Sequence, residues 1–220
     1  MIEKYKNKPG TPDGQNNPTY AAMIESVDEG VGRVLETLQR LNLERNTVVV
    51  FTSDNGGLSV QESHNHPNTP ATCNAPLRGG KGHLYEGGIR VPWIVKWPAR
   101  TQAGSVCHVP VISDDFFPTF TELAGLRDVK TNGPLDGESL VPLLTRSSSL
   151  QRDAIYWHYP HFSNQRGRPG GIVRAGDFKL IERYEDATLE LYNLADDPGE
   201  RRNLAVEMTE KARELRGRLR

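Results

Sequence analysis

The sequence predicts an α/β fold followed by a small antiparallel sheet that carries one helix. In the first half, a segment with helical periodicity precedes a run of β-branched residues, and this helix-then-strand order is typical of α/β proteins. In the last third, short alternating stretches are separated by turn residues and followed by a basic amphipathic segment. We therefore expect two structural units, covering residues 1–149 and 150–220.

The first unit begins with a polar segment and one long helix. Residues 1–18 are rich in Lys, Pro, Gly and Asn, a composition that predicts a loop. From Thr19, a candidate N-cap, apolar residues recur at steps of three and four, which predicts an amphipathic helix of about six turns. This pattern is formed by Ala22, Met23, Val27, Val31, Val34, Leu35 and Leu38. The apolar run at 47–53 then predicts a buried strand.

Loops and shorter elements follow this strand. Residues 56–88 are rich in Gly, Pro, Asn, His and Thr without periodicity, which predicts a long loop of the kind that often carries function. The pattern also predicts a second strand at 89–98 and a helix over 116–123. Asp114 and Asp115 precede this helix, a position that favours capping over metal binding.

Composition excludes several classes of protein. The 27 basic and 28 acidic side chains leave a formal charge of -1, so overall charge favours neither a nucleic acid nor an anionic membrane as partner. Two cysteines are too few for a disulfide framework, and their spacing to the histidines matches no zinc motif. No apolar segment approaches the roughly 18 residues of a membrane span, and the N-terminus shows no signal peptide.

Asp54 and Asn55, which follow the first strand, are candidate ligands of a hard cation. A carboxylate and an amide oxygen suit Ca²⁺ or Mg²⁺, and their adjacency at a strand end lets both face one crevice. The same residues, followed by two glycines, also fit an ordinary turn that needs no ligand. These residues alone leave both interpretations open.

A second cluster surrounds Lys81, which lies between two glycines. Glycines let backbone N–H groups approach an anion, and the ammonium group supplies a compact charge for an oxyanion. We therefore expect a site for a phosphate- or sulfate-like group, with a solvated surface loop as the alternative. The spacing does not match a P-loop, because Lys81 is followed by Gly and not by Ser or Thr. Together the two clusters indicate ester hydrolysis at a metal.

Several segments carry a resemblance to a known family. They are "VVFTSDNGG", "LRGGKGHLYEGGIRVPWIVKWP", "SDDFFPTFTELAG", "DGESLVPLL", "RAGDFKLIE" and "LYNLADDPGERRNLA". In this order they resemble the sulfatase family of the alkaline phosphatase superfamily, in particular bacterial arylsulfatase-like enzymes. The resemblance implies part of an alkaline phosphatase-like sandwich followed by the small sheet. It also implies hydrolysis of sulfate esters, with a sulfated small molecule or saccharide as substrate.

The resemblance implies roles for both clusters. Asp54 and Asn55 correspond to a pair that binds one calcium ion, and Lys81 to a catalytic lysine that contacts a sulfate oxygen. The family uses a formylglycine made in a C-x-P-S-R or C-x-A-S-R motif, and neither Cys73 nor Cys107 lies in one. We therefore expect a C-terminal half that is inactive alone and has an incomplete calcium ligand set. The formylglycine would belong to an N-terminal half, and the parent enzyme would be periplasmic or secreted.

Histidines supply candidate contacts to substrate. His158 and His161 lie among aromatic residues just after the start of the small sheet, where they could contact a sugar ring and its hydroxyls. Packing between the two units is the alternative for this region. His64 and His66, in the loop after the cation pair, are further candidates.

Two other functions are consistent with these residues. A phosphoesterase or phosphonate-type hydrolase of the same superfamily would use the same cradle for a tetrahedral phosphoryl group. A non-catalytic protein that binds an anion or a carbohydrate would need the lysine and the histidines but no nucleophile. Assays of the full-length gene product on matched aryl sulfate and aryl phosphate distinguish the first alternative. An in-frame C-x-P-S-R or C-x-A-S-R codon run in the DNA upstream of Met1 distinguishes the second.

Overall fold

Two antiparallel sheets, one of two strands and one of four, organise the chain. The computed structural model describes residues 1–11, 14–60, 70–126 and 129–220. The strands are β1 (Val49–Thr52), β2 (Trp93–Lys96), β3 (Ala154–Tyr159), β4 (Gly170–Ala175), β5 (Phe178–Arg183) and β6 (Leu189–Asn193). The helices are α1 (Ile2–Lys6), α2 (Pro18–Arg40), α3 (Glu86–Ile89), α4 (Phe116–Leu123), α5 (Val141–Thr145) and α6 (Thr209–Leu219). The predicted α/β class is confirmed.

The first sheet pairs β1 with β2 in antiparallel register, with Val50 opposite Val95. These strands lie inside the segments predicted at 47–53 and 89–98. The prediction that the first strand is buried is wrong for the described part of the chain, where Phe51 keeps 38% of its surface exposed. The physical reason is pairing: β2 alone flanks β1 among the described residues, so one edge of β1 is open.

Helix α2 is the predicted amphipathic helix, but its start differs. The backbone N–H of Tyr20 donates to the side-chain oxygen of Asn17 over 3.0 Å, so Asn17 is the N-cap and the assignment of Thr19 to that role is wrong. Pro18 follows at the first helical position, where its fixed φ suits a helix and its missing N–H costs nothing. Helix α1 forms within the segment predicted as loop, although it buries none of its residues.

The four-stranded sheet contains most of the buried apolar residues. Its strands are ordered β3-β4-β5-β6, and successive residues alternate between two faces. One face packs against the segment that precedes α3, and the other packs against α6. The two clusters are Leu84, Ile172, Ile181, Tyr192 and Leu194, and Val173, Leu180, Leu191, Ala212 and Leu215. The predicted small antiparallel sheet with one terminal helix is confirmed.

Helix α4 has the predicted bounds, and Asp115 caps the turn before it. The Asp115 carboxylate accepts the backbone N–H of Ile112 over 2.9 Å and pairs with the guanidinium of Arg152 over 2.7 Å. Its side chain is fully buried, so capping of this turn and the ion pair account for the residue; the sequence predicted a cap but not the ion pair. In the part of the chain that the structure describes, no helix is both long and apolar enough to cross a membrane.

A buried charge cluster joins the small sheet to the segment around α3. The Lys179 ammonium, on β5, lies 3.0 Å from a carboxylate oxygen of Glu86 and 2.8 Å from one of Glu200. All three side chains are at most 2% exposed. Burial raises the pKa of the Glu200 carboxyl above its usual value, although the Lys179 charge opposes this shift. One ammonium is therefore shared by two buried carboxylates, and the Arg174 guanidinium lies 3.8 Å from the other oxygen of Glu86.

Replacing Lys179 with Met is expected to destabilise the protein strongly. The substitution removes the cation shared by Glu86 and Glu200, and loss of one partner of a buried ion pair costs about 3–5 kcal/mol. Denaturant unfolding followed by circular dichroism measures this loss. Lys6→Met is the matched control, because it removes an exposed ion pair with Glu3 and should change stability by less than about 1 kcal/mol.

The effect of Lys179→Met should also depend on pH. Because the pKa of Glu200 is raised in the folded state, ionisation of this carboxyl lowers the free energy of unfolding. This destabilisation is present above the raised pKa and is lost as the pH falls below it. The stability difference between wild type and Lys179→Met should therefore shrink as the pH is lowered from neutral towards the ordinary pKa of a glutamate carboxyl. A difference that stays constant over this range would show that ionised Glu200 is not its cause.

Candidate functional site

A cleft of about 1740 Å³ is lined by residues of both predicted units. Asp54 and Asn55 contribute to its wall, as does Lys81 from the glycine-rich loop. His158 joins them from β3, whereas His161 is not among the lining residues. The structure thus brings four of the five predicted site residues to one cleft.

Hydrogen bonds within the turn after β1 orient the two candidate cation ligands. The backbone N–H of Asn55 donates to the Asp54 carboxylate over 3.0 Å, and the Asn55 side-chain N–H donates to the Gly56 carbonyl over 3.0 Å. Among the described residues, no group donates to the Asn55 side-chain oxygen or to the second Asp54 carboxylate oxygen. Two hard oxygen atoms are therefore available to a cation.

Gly56 explains why glycine must follow the Asp-Asn pair. Its backbone N–H donates to the Gly88 carbonyl over 2.9 Å, which brings the turn against helix α3. A Cβ atom at position 56 would lie 1.7 Å from the carbonyl oxygen of Gly87. Only a residue without a side chain permits this approach, so the turn and α3 are in direct backbone contact.

Lys81 is anchored by its backbone to the same turn. Its N–H donates to the Gly57 carbonyl over 3.0 Å, two residues beyond Asn55. The Lys81 side chain is exposed, and its ammonium group makes no hydrogen bond or ion pair with any residue that the structure describes. A fixed backbone and an uncompensated charge are the features that an oxyanion site requires.

Arg78 supports the glycine-rich loop and does not line the cleft. Its guanidinium donates to the Tyr192 hydroxyl and to the Glu200 carbonyl, each over 3.0 Å, and lies 3.8 Å from the centre of the Tyr85 ring. Burial and the nearby Glu190 carboxylate raise the pKa of Tyr192. The Tyr192 hydroxyl therefore stays protonated and donates to Glu190 over 2.6 Å.

The connection between β3 and β4 holds the Lys81 loop from the other side. The Ser163 hydroxyl donates to the Gly82 carbonyl over 3.2 Å, and His83 Nε2 lies 2.8 Å from the Gln165 carbonyl oxygen. Because a carbonyl only accepts, His83 Nε2 carries a proton in this arrangement. The loop is thus bonded to the turn after β1 on one side and to the small sheet on the other.

Tyr184 holds His158 in one orientation. The Tyr184 hydroxyl lies 2.6 Å from His158 Nδ1, and the two ring centroids are 5.4 Å apart. This contact crosses β4 at Gly171, the residue paired with His158, where a Cβ would lie 2.7 Å from the Tyr184 hydroxyl. His158 Nε2 has no partner among the described residues, so a ligand can bind there. His161 instead packs its ring against Tyr159, with 5.6 Å between centroids.

Sequence reasoning did not find two of the residues that shape the site: Tyr184, and Asn74, whose side-chain amide donates to the carbonyls of Gly57 and Gly79. The glycine at position 171, inside a predicted strand, is a signal of close approach that could have indicated a large side chain such as Tyr184. Asn74 lies in a segment without periodicity, and no local pattern separates it from a turn residue. The candidates His64 and His66 lie outside the described residues.

The cation site contains fewer protein ligands than a complete centre. Across residues 1–11, 14–60, 70–126 and 129–220, no group of three or more His, Cys, Asp and Glu side chains is arranged to hold a metal ion. Asp54 and Asn55 fit a hard cation in the type and orientation of their oxygen atoms, but Ca²⁺ takes about six to eight oxygen ligands. The chain supplies at most part of such a ligand set.

The chain belongs to the sulfatase family. A family model described as Sulfatase matches residues 2–126. A second, described as N-sulphoglucosamine sulphohydrolase, C-terminal, matches residues 80–220. The two matches overlap across the Lys81 loop, and the family membership predicted from the sequence is confirmed.

Named relatives are similar over most of this chain. A sulfatase of Formosa agariphila is 37% identical over 224 residues, covering 93% of this chain and 38% of the relative. The steryl-sulfatase of Mus musculus is 32% identical and covers 94% of this chain and 37% of the relative. An N-acetylglucosamine-6-O-sulfatase of Bacteroides thetaiotaomicron is 32% identical over 89% of this chain and 33% of the relative. The chain therefore spans less than half the length of these relatives.

Solved structures share the fold. The crystal structure of Ps i-CgsB in complex with k-i-k-neocarrahexaose has a TM-score of 0.79 at 29% identity, covering 97% of this chain and 44% of that one. A protein solved in complex with its substrate D-glucosamine-2-N,6-O-disulfate has a TM-score of 0.74 at 29% identity, covering 92% and 39%. The predicted partial sandwich followed by a small sheet is confirmed as a sulfatase fold.

Replacing Gly56 with Ala is expected to destabilise the protein by about 1–3 kcal/mol or more, because the added Cβ meets the Gly87 carbonyl, which is backbone and cannot rotate away. Thermal unfolding measures the effect. Gly32→Ala, in α2, is the control: nothing lies within 4 Å of its added Cβ, and alanine favours a helix by about 1 kcal/mol. If Gly56→Ala had the same melting temperature as the wild type, the close backbone contact between this turn and α3 would be refuted.

Proposed function

We propose that the complete protein hydrolyses sulfate esters of carbohydrates, and that this chain supplies the sulfate-binding lysine and two calcium ligands. The observation that carries the proposal is the unpaired Lys81 ammonium in the cleft that Asp54 and Asn55 also line. The Lys81 backbone is bonded to the turn that holds these two residues. Membership of the sulfatase family supports the reaction class.

Lys81 is the catalytic residue that we assign to this chain. Its ammonium would contact one sulfate oxygen and stabilise the negative charge that grows there as the ester bond breaks. Neither cysteine of the sequence lies in a C-x-P-S-R or C-x-A-S-R motif, so we place the formylglycine nucleophile outside this chain. The chain then contributes binding and electrostatic stabilisation, and covalent catalysis belongs to another part of the protein.

Asp54 and Asn55 are the residues that would hold calcium. Their available oxygens, one charged and one neutral, are the hard donors that this ion prefers. A bound calcium ion would neutralise charge on the sulfate group and orient it. The protein positions these groups. Hydrogen bonds within the turn orient Asp54 and Asn55, and the hydrogen bond from the Lys81 backbone to Gly57 keeps the lysine beside them.

The proposed substrate class is a sulfated carbohydrate. One relative is named as an N-acetylglucosamine-6-O-sulfatase, and two structural neighbours were solved with a neocarrahexaose and with a glucosamine disulfate. In this chain, the oriented His158 ring offers its Nε2 at the wall of the cleft, where it can bond a sugar hydroxyl. His161 does not line the cleft itself but packs its ring against Tyr159, which does, and we propose for His161 only a secondary role in substrate binding.

The polypeptide encoded by the complete gene is expected to hydrolyse an aryl sulfate much faster than the matched aryl phosphate. Lys81→Ala should lower kcat/KM for the sulfate by about 10²–10³-fold, because a charge that stabilises the transition state is lost. Lys130→Ala, an exposed lysine outside the cleft, is the control and should leave kcat/KM unchanged. Faster turnover of the phosphate would identify a phosphoesterase, and no turnover of either ester would identify a binding protein.

The substrate class has its own readout in the same assays. His158→Ala should raise KM for a sulfated oligosaccharide and leave KM for the aryl sulfate unchanged, because the small ester has no sugar hydroxyl for His158 Nε2 to bond. Steryl sulfate, a bulky ester without a sugar, is assayed in parallel as a third substrate. An equal rise in KM for all three esters in His158→Ala would refute a saccharide contact at His158.

Residues 1–220 alone are expected to bind Ca²⁺ weakly or not at all, because two residues supply only part of the about six to eight oxygens that the ion takes. Calorimetric titration of the isolated chain measures the affinity. In the complete polypeptide, Asp54→Asn should weaken calcium binding, whereas Asp136→Asn, an exposed carboxylate outside the cleft, should not. A sub-micromolar site on the isolated chain would contradict the proposal.

A further inference from the structure

Asn74 connects the two loops of the proposed sulfate site through its side-chain amide. The amide oxygen accepts the backbone N–H of Gly57 over 3.1 Å. The amide nitrogen donates to the carbonyls of Gly57 and Gly79, each over 2.9 Å. Gly57 closes the turn that holds Asp54 and Asn55, and Gly79 opens the loop that carries the lysine. One side chain therefore bonds both segments.

The chemistry of this bridge is specific to asparagine. The two N–H groups of the amide donate to two carbonyls, and the amide oxygen accepts from one N–H. A single planar group thus supplies two donors and one acceptor. Aspartate has the same shape but would place a carboxylate oxygen against the carbonyls of Gly57 and Gly79. Alanine would leave all three backbone groups without this partner.

The bridge reaches Lys81 through one shared atom. The Gly57 carbonyl accepts both from the Asn74 amide, over 2.9 Å, and from the Lys81 backbone N–H, over 3.0 Å. Asn74 itself is not among the residues that line the cleft. Its influence on a bound anion must therefore pass through the position of Lys81 and of the turn.

We propose that Asn74 is a positioning residue that keeps the Lys81 ammonium in register with the Asp54–Asn55 turn. This proposal rests on the proposed function, because it assigns Asn74 to the same sulfate site. Residues that act through another group should show their effect only while that group is present. Asn74 should thus matter for turnover when Lys81 is intact and lose most of its importance when Lys81 is removed.

A double-mutant cycle on the complete polypeptide tests this coupling. Asn74→Asp alone should lower kcat/KM for an aryl sulfate by about tenfold or more, but by less than about twofold in a Lys81→Ala background. The expected result is strong non-additivity. Equal fold-losses in both backgrounds would overturn the proposal, because a residue that only stabilises the fold would lower activity whether or not Lys81 is present.

Asn203→Asp is the matched control. Asn203 also bonds three backbone groups, accepting from Leu191 and Ala205 over 2.9 Å and donating to Leu189 over 3.2 Å, but it lies beside β6 and away from the cleft. The Asn203→Asp substitution should lower the melting temperature by an amount similar to that of Asn74→Asp. Its effect on kcat/KM should be the same in both Lys81 backgrounds.

Hydrogen exchange of backbone amides tests the positioning without any turnover. In Asn74→Asp, the amides of Gly57 and Lys81 should exchange faster together, whereas Asn203→Asp should leave both unchanged. Asn74→Ala, which adds no charge, repeats the measurement if the aspartate variant does not fold. Unchanged exchange at Lys81 would overturn the proposal even in an active enzyme. If both amides exchange faster in Asn74→Asp but the wild-type protein hydrolyses no sulfate ester, the proposed function alone is refuted and the positioning role stands.

Discussion

The hydrogen bond from the Lys81 backbone to the Gly57 carbonyl is the constraint on which the site depends. The two segments that it joins are loops, so neither has a ladder of its own to fix its position. Gly56 reinforces the contact from the other end of the turn by bonding to Gly88. Because backbone atoms hold the loops, the Asp54 and Lys81 side chains extend from fixed backbone positions.

The small sheet supplies the stability that these loops lack. Its two apolar clusters contain most of the fully buried side chains, and it holds the lysine loop through Ser163 and through the buried contact between Lys179 and Glu86. An ion pair removed from water requires close geometry to offset its desolvation, so it tolerates little displacement of α3. Asp54, Asn55 and Lys81 thus lie in the first predicted unit, while His158 and part of the support for the lysine loop come from the second.

Periodic and compositional signals predicted the parts of the fold that are local. Helix α2, helix α4 and the strands of the small sheet follow from repeating patterns. Residue type and position indicated Asp54, Asn55 and Lys81, and the family resemblance then implied their roles. The exposure of β1 could not be predicted, because burial of a strand depends on which partners flank it. The bridge at Asn74 and the contact between Tyr184 and His158 depend on residues brought together by tertiary structure. Their local sequence carries no comparable period.

Water in the open cleft screens the charge of Lys81. Two unit charges about 4 Å apart attract by about 1 kcal/mol in water, but by about 4 kcal/mol where the effective dielectric constant is about 20. Lys81 is exposed in a cleft of about 1740 Å³, so its attraction for a small free anion is strongly screened. Under the proposed function, a sulfate ester attached to a bulky saccharide would displace more of that water than inorganic sulfate does. The same charge-charge contact with Lys81 would then strengthen without any change in the protein.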